Sequence, residues 1–389
     1  MGDTSFDVII VGAGLAGATA AAVLSRAGRR VALIDLRDHC SHCFKAEKIE
    51  PDQAELLRGF GLLESILPSS AVIREVSVAR SGKILRVLPV EQYGILYHDM
   101  VNCIRRSLPA AVEVHVARVA EIVPGGEVSE VVLVGGERMS ARLVILAAGT
   151  GSHLHEGLGI EKVVIRREHS LACGFNVELP SARPVPFDSL TYCPDGYTTK
   201  IDYLTLFPVQ GALRANLFCY RTARDPWVGR FAKEPGAVLR ESIPQLSRLT
   251  GELRVVGKVE MVPIDLFRVA VKPKPGFVFI GDAFQSVCPS TGTGLSKVLT
   301  DVDILCSTFV PAWLATPGMG EEKIDHFYAE GRKRDCDDSS LSIAAYRRQL
   351  STDSSLRWLV HREKAYLKMM ASGWSDRLRQ RVGEWRGAA

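Results

Sequence analysis

A chain of 389 residues has room for one large domain or two of ordinary size. Its 47% hydrophobic and 24% charged residues are those of a globular protein, and a formal charge of +4 is too small to predict a nucleic-acid or membrane partner. Nine cysteines, an odd number scattered from Cys40 to Cys336 with no secretory leader ahead of them, predict reduced thiols in a cytoplasm rather than a disulfide framework.

Residues 6–11, FDVIIV, read as a short buried strand, followed at once by GAGLAG with Gly12, Gly14 and Gly17 in the spacing G-x-G-x-x-G. A helix of small residues, ATAAAVLSRAG, runs on to Gly28, and RVALIDLR is the next strand. Residues 8–24 carry no charge, yet glycines and alanines throughout fit a strand and helix better than a membrane span or signal sequence, so no transmembrane segment is expected. In such a turn Gly12 permits the bend, Gly14 lets a pyrophosphate approach the backbone, and Gly17 lets the helix close on the sheet. The amides around Ala16 and the positive helix end then hold the anion. Asp35, followed by Leu36, ends the second strand about 20 residues on, where an acid accepts ribose hydroxyls. This is a dinucleotide site that does not by itself choose between FAD and NAD.

Next comes DHCSHC, residues 38–43. A zinc site draws its ligands from separated pairs, and no second pair of that spacing exists. A redox C-x-x-C normally opens a helix that lowers the thiol pKa, and none is evident. The stretch therefore reads as a loop leading to Lys45, with a redox role for Cys40 and Cys43 as the alternative. Residues 143–149, LVILAAG, form a buried strand ending near Gly149. Between about 163 and 275 the chain alternates like strands, with Ile201, Tyr203, Thr205 and Phe207 on one face and Asn216, Phe218 and Tyr220 on the next strand. Such a sheet could line an apolar pocket, although most of these aromatics would simply be core. FVFIG then leads to Asp282, a loop with Cys288 and Pro289, and Gly292 and Gly294 opening a helix that begins with Leu295. Cys288 is expected to be a small buried residue. The tail from 345 onward has ten Lys/Arg against four Asp/Glu, and Leu356, Leu359, Val360, Tyr366, Leu367 and Met370 follow a helical period. Its apolar face is expected to cap the cofactor domain and its basic face to be solvated.

The segment GDAFQSVCPSTGTGLSKVLTDVDI resembles that of the FAD-dependent aromatic hydroxylases, the class A flavoprotein monooxygenases with a p-hydroxybenzoate hydroxylase-like fold, whose pattern runs G-D-A-x-H, then P-x-x-G-x-G. The resemblance implies that Asp282 bonds the ribityl chain and that the amides of the Pro289, Gly292, Gly294 and Leu295 segment sit by the flavin N1–C2=O edge. There a helix N-terminus would stabilise the negative charge of reduced flavin. It implies a cofactor contact from Lys45, with Lys48 as the alternative, and from Gln92, with Tyr93 and His98 as further candidates. Gln285 stands where the family often has histidine. The family's A-D-G-x-x-S-x-V-R motif keeps only Gly149: Ala148 replaces the aspartate, the arginine is absent, and His153 and His155 lie nearby. That departure puts direct reduction by NAD(P)H in question.

The likeness covers residues 6 to about 310 and implies an α/β fold: a Rossmann-like FAD-binding domain (1–75, 96–160, 276–310), an inserted antiparallel β-sheet substrate domain (76–95, 161–275) and a helical C-terminal region (311–389). It implies a cytoplasmic monooxygenase that hydroxylates or oxidatively modifies a small aromatic or polycyclic molecule with molecular oxygen, through a flavin C4a-hydroperoxide. NAD(P)H or a separate flavin reductase would supply electrons. No metal site, nucleic-acid partner or acid–base side chain is assigned. The alternatives are an FAD-dependent reductase or dehydrogenase of the geranylgeranyl reductase kind, a flavin-dependent halogenase, whose W-x-W-x-I-P signature is absent, and a non-catalytic redox sensor using Cys40 and Cys43.

Overall fold

The computed structural model of the chain describes residues 5–151, 154–180, 185–270 and 272–387, with the backbone alone for Ser5 and for 373–387. The chain divides into two compact units. The first comprises the chain up to Ser69 with Ile95–Arg167 and Asp265–Ser342; the second comprises Ser70–Gly94, Glu168–Ile264 and the chain from Ile343 on.

In the first unit a seven-stranded sheet runs in the order Glu113–Val116, Val31–Asp35, Ser5–Val11, Arg138–Leu146, Ser129–Leu133, Val119–Val123, and Phe277–Phe279 also pairs with Arg138–Leu146. The four pairings around Ser5–Val11 and Phe277–Phe279 are parallel, with Val8 opposite Val31, Ile9 opposite Val144 and Phe279 opposite Leu146. Val8, Ile9, Ile10, Val144 and Ile145 are fully buried, because parallel strands are covered on both faces and favour unbroken β-branched runs. The charge-free stretch read from the sequence is thus a strand and the helix Leu15–Arg26, whose chain then turns at Gly28 with φ +77°. No helix among the described residues is long and apolar enough to cross a membrane.

The second unit is built on a sheet in the order Arg254–Val269, Lys162–Glu178, Ala212–Cys219, Ile201–Val209, Ser189–Cys193, Ala71–Arg80, Lys83–Gly94. Its two longest strands contain two of the five points at which the chain passes from one unit to the other. Tyr203 sits opposite Phe218, Thr205 opposite Asn216 and Phe207 opposite Arg214, so the aromatic face expected from alternation forms. The Tyr203 and Phe218 rings lie 4.9 Å apart. Ile201 does not join it: the register shifts between Ile201 and Tyr203, and Ile201 turns into the core beside Leu204, Leu206 and Leu217. One inserted residue inverts the alternation of everything before it.

The stretch 311–389 is shared between the units rather than set apart. Lys333 and Asp337 on the helix Gly331–Thr352 are buried in the first. Further along the same helix, in the second unit, Arg347 grips buried Asp202 at 2.7 and 3.0 Å, joined by Ser351 at 2.9 Å and by Tyr220 at 3.1 Å. The last helix, Leu356–Gly387, also belongs to the second unit, where Tyr366 stacks under Arg80 and Tyr197 under Arg362. Its apolar residues do not form the single capping face expected of them. Leu356, Val360 and Leu367 are exposed, while Leu359, Tyr366 and Met370 are half-buried.

Candidate functional site

The three glycines of the first turn do different work. Gly12 has φ +102°, and a Cβ there would lie 2.7 Å from the backbone of Ala147 and Ala148. A Cβ on Gly17 would stand 1.8 Å from the Gly12 carbonyl oxygen and 3.2 Å from Ile10. Both are dictated by the fold. Gly14 is not: a Cβ there would meet only the Tyr97 hydroxyl, at 3.7 Å. Its missing side chain leaves space in front of the helix Leu15–Arg26, whose N-cap carries no side-chain hydrogen bond. The first amides of a helix have no intrahelical acceptor. Here Leu15 N–H donates to Tyr97 Oη at 3.4 Å, next to buried Ala16.

Asp35 closes the turn from the other side. Its carboxylate accepts from Ala13 N–H at 2.6 Å and Arg37 N–H at 3.1 Å, and pairs with Arg105 at 3.2 Å. Arg105 also donates to the carbonyls of Ala13, at 2.7 Å, and Arg37, at 3.0 Å. This arginine, on the helix Tyr97–Arg106, went unnoticed in the sequence. Leu36 is exposed beside Asp35.

Lys45 pairs with Asp282 at 3.3 Å and lies 5.3 Å from the centre of the Tyr97 ring. Lys48, the alternative, pairs with Glu50 instead. Tyr97, and after it Asp282, holds the Lys45 ammonium above its ordinary pKa against the cost of burial, and burial pushes the Tyr97 phenol up. Asp282 belongs to a tight turn, Gly281–Ala283, after the strand Phe277–Phe279. Gly281 has φ +62°, and a Cβ on it would come within 3.1 Å of Ala16, so this turn lies against the first turn of Leu15–Arg26.

A group of buried charges, unnoticed in the sequence, fastens the Asp282 turn. Gly281 N–H donates to Asp301 at 2.8 Å and Lys297 donates to the Gly281 carbonyl at 3.4 Å. Lys297 pairs with Asp301 at 3.1 Å and Asp337 at 3.3 Å; Lys333 pairs with Asp301 at 2.7 Å and Asp337 at 3.2 Å. All four are buried, and the Lys333 ammonium also sits 4.2 Å from the Phe284 ring centre. Burial alone would neutralise such groups. The carboxylates outweigh it at Lys297, whose pKa is raised, and the two lysines outweigh it at Asp301, whose pKa is lowered. Gln285 continues the network, donating to the Asp337 carbonyl at 2.9 Å and Ser340 at 3.0 Å.

On its other side the turn is held by His155, buried, with Nε2 2.8 Å from the Ala283 carbonyl and its ring stacked on Phe279. Ala148 is exposed, and Gly149, with φ +71°, has open space where a Cβ would be. His153 lies outside the described residues.

Beyond Cys288, which is buried as expected, Pro289–Thr291 form one tight turn and Gly292 follows in the left-handed region, φ +71°. A Cβ at Gly292 or Gly294 would meet nothing within 4 Å, so the ground before the helix Gly294–Val302 is open. Gln53 reaches it, donating to the Gly292 carbonyl at 3.4 Å and Ser296 at 2.9 Å, while Leu295 is buried. Gln92 and Tyr93 lie on Lys83–Gly94 in the second unit, both buried, whereas His98 is in the first unit with its ring 4.7 Å from that of His42.

The first unit thus gathers two glycine-bearing helix starts, a strand-end acid and a lysine–aspartate pair. A family model described as FAD binding domain matches residues 5–313, and one described as squalene epoxidase matches residues 252–376. Squalene monooxygenase of Mus musculus is 22% identical over 396 residues, and the match covers 94% of this chain but 66% of the mouse protein, just under two thirds of its length. A probable electron transfer flavoprotein-quinone oxidoreductase of Escherichia coli K12, YdiS, is 29% identical over 178 residues, 41% of this chain and 40% of its own. Among solved structures, p-nitrophenol 4-monooxygenase PnpA from Pseudomonas putida DLL-E4 shares the fold, with a TM-score of 0.77 at 16% identity over 97% of this chain and 96% of that one. By the match that runs from residue 5 to residue 313, the chain belongs to the FAD binding domain family.

Proposed function

We propose that the first unit holds one FAD and that the protein is a monooxygenase, placing one atom of molecular oxygen on a small aromatic or polycyclic substrate. The observation that carries this reading is the gathering of Gly14, Asp35, Lys45 and Asp282 around the open start of Leu15–Arg26, inside the stretch that matches the FAD binding domain. These residues fit the group. The gap at Gly14 and the helix amides suit a pyrophosphate. Asp35, held in place by Arg105, suits ribose hydroxyls, and the Lys45–Asp282 pair suits the ribityl chain. The open ground at Gly292 and Gly294, with Gln53 beside it at the start of the helix Gly294–Val302, suits the electron-rich edge of a flavin. When bound, FAD supplies the two-electron chemistry that activates oxygen.

The chain's own part is to bind, orient and exclude water. His155 at the Ala283 carbonyl and the buried Lys297, Asp301, Lys333 and Asp337 at Gly281 fix the Asp282 turn from its two sides. In the second unit, Tyr203 and Phe218, half-buried and paired on neighbouring strands, are the aromatic surface we assign to a flat substrate. Electrons come from NAD(P)H, directly or through a separate flavin reductase, and the protein works in a cytoplasm.

A second substrate reading, epoxidation of an isoprenoid alkene, is favoured by the squalene epoxidase match over 252–376 and by the mouse relative. The test is turnover of the reduced holoprotein under ¹⁸O₂ with 4-nitrophenol and squalene as probes. One labelled oxygen in a hydroxylated phenol supports the first reading, and one in an epoxide supports the second. Reduction or dehydrogenation of a probe without label would favour the reductase alternative.

A further inference from the structure

We propose that Gln53 is a positioning residue for flavin reduction: by gripping the Gly292–Thr293 peptide it keeps the ground before the helix Gly294–Val302 favourable to the negative charge of the reduced ring. This role rests on the FAD reading and adds one side chain to that site. Gln53 is 2% exposed and lies in the first turn of the helix Pro51–Gly59. Its Oε1 accepts from the Glu50 N–H at 2.9 Å, and the Glu50 side chain accepts from the Gln53 N–H in return, a reciprocal pair that closes this helix start. A backbone N–H demands the amide oxygen, so the orientation of the Gln53 amide is fixed and Nε2 brings its two hydrogens to other partners. They meet the Gly292 carbonyl at 3.4 Å and Ser296 Oγ at 2.9 Å. Ser296 Oγ in turn donates to Asp52 at 3.1 Å. Two adjacent residues at the start of one helix thus fasten the start of another.

The clamp matters because the chain beyond it is so permissive. Gly292 and Gly294 flank Thr293, and a Cβ at either glycine would meet nothing within 4 Å. Gly292 has φ +71°, and its own N–H donates to the Pro289 carbonyl at 3.1 Å. The peptide that follows is held at its N–H by Thr291 Oγ1, which accepts from Thr293 at 3.2 Å, and at its carbonyl by Gln53. Glycine adopts either sign of φ, so this peptide turns over more readily once one hold is lost. Because the peptide is planar, turning it exchanges the sides on which its oxygen and its N–H lie. An acceptor then stands where a donor stood. Reduced flavin carries negative charge at N1, and a carbonyl oxygen opposes what the first amides of a helix offer that charge. Oxidised flavin, uncharged at N1, responds less. Gln53 therefore acts on the difference between the two states, which sets the potential of the bound cofactor.

The test compares the full chain loaded with FAD and two variants. Gln53→Glu keeps an oxygen to accept from the Glu50 N–H, as glutamate does in such helix starts, and removes only the donor. Gln53→Met removes both functions without adding charge. The midpoint potential is read by anaerobic titration against a reference dye, and the affinity for oxidised FAD by fluorescence of the apoprotein. We expect each variant to lose about tenfold in its preference for reduced over oxidised FAD, a potential about 30 mV more negative for this two-electron couple. The loss of affinity for oxidised FAD should be smaller. A purely structural role would lower the melting temperature and leave the potential of the bound flavin unchanged, and that result overturns the proposal. So does a shift in Gln53→Glu alone while a folded Gln53→Met keeps the wild-type potential, because the added charge then explains it. Where Gln53→Met does not fold, Gln53→Glu at the wild-type potential overturns the proposal equally. A wild-type chain that takes up no FAD overturns the FAD reading and this role with it, whereas normal FAD uptake with unshifted variants overturns this role alone.

Discussion

Replacing Lys333 with methionine tests whether the buried charges behind Asp282 act as one unit. In the wild type each lysine faces both aspartates at 2.7–3.3 Å, with all four side chains at most 6% exposed. Methionine keeps an apolar stem but removes the ammonium, which lies 4.2 Å from the Phe284 ring centre and 4.9 Å from that of Phe327, and leaves two buried carboxylates sharing one ammonium. Breaking such a pair costs about 3–5 kcal/mol, mostly the penalty of the uncompensated charge. For a unit of this size that lowers Tm by on the order of 10 °C. The pH dependence has a definite sign. Asp301 is held below its ordinary pKa, so its contribution is complete above about pH 4 and fades as pH falls through the lowered value. Lys297 is held above its own, so its contribution is complete below about pH 10 and fades as pH rises through the raised value. The wild-type contribution is therefore flat across neutrality. In Lys333→Met the surplus carboxylate can take up a proton, so the deficit should shrink as pH is lowered from 7 towards 5. Thermal and urea unfolding at several pH values measure this, with flavin retention followed in parallel. Adding Asp337→Leu to Lys333→Met should recover much of the loss by removing the unpaired charge. A single variant within about 1 kcal/mol of wild type, or a double variant no better than the single, would refute the reasoning.

The turn glycines should separate by role. Gly12→Ala should unfold the chain or cost several kcal/mol, because its Cβ meets the Ala147 backbone at 2.7 Å. Gly14→Val should keep its circular dichroism and melting profile yet lose FAD, and a fully yellow Gly14→Val protein would argue against the pyrophosphate assignment. Arg105→Ala releases Asp35 from its charged partner and should weaken FAD binding by about tenfold, read by fluorescence titration of the apoprotein. Ala148→Asp adds a carboxylate at an exposed position, so stability should hold while reduction by NAD(P)H, followed anaerobically, becomes faster. An unchanged rate would point to another reductant.

Where a feature is local in the chain it was readable. The glycine turn, its flanking strand and helix, and the Asp282 segment are each written within a dozen residues, and their spacing carries their geometry. Arg105 is 70 residues from Asp35, and nothing in IRRSL marks it out from any amphipathic helix end. The buried charges were hidden for a sharper reason. Lys297–Asp301 and Lys333–Asp337 are both i,i+4 pairs, the pattern of an ordinary solvated helix face. Only the meeting of two such helices inside the first unit turns two surface-like pairs into one core network. His155 was noticed as the neighbour of a missing motif, but its bond to the Ala283 carbonyl depends on a partner 128 residues away. The Ile201 face was misread because a register shift leaves no sign in an alternating pattern.

The central claim is that this chain carries one FAD in its first unit, and the most direct measurement is the flavin content of the purified protein. The protein should be yellow, and acid denaturation should release one FAD per chain, identified by mass, with flavin-depleted protein regaining the same ratio when FAD is added back. A colourless protein that takes up no FAD would contradict the account at its root.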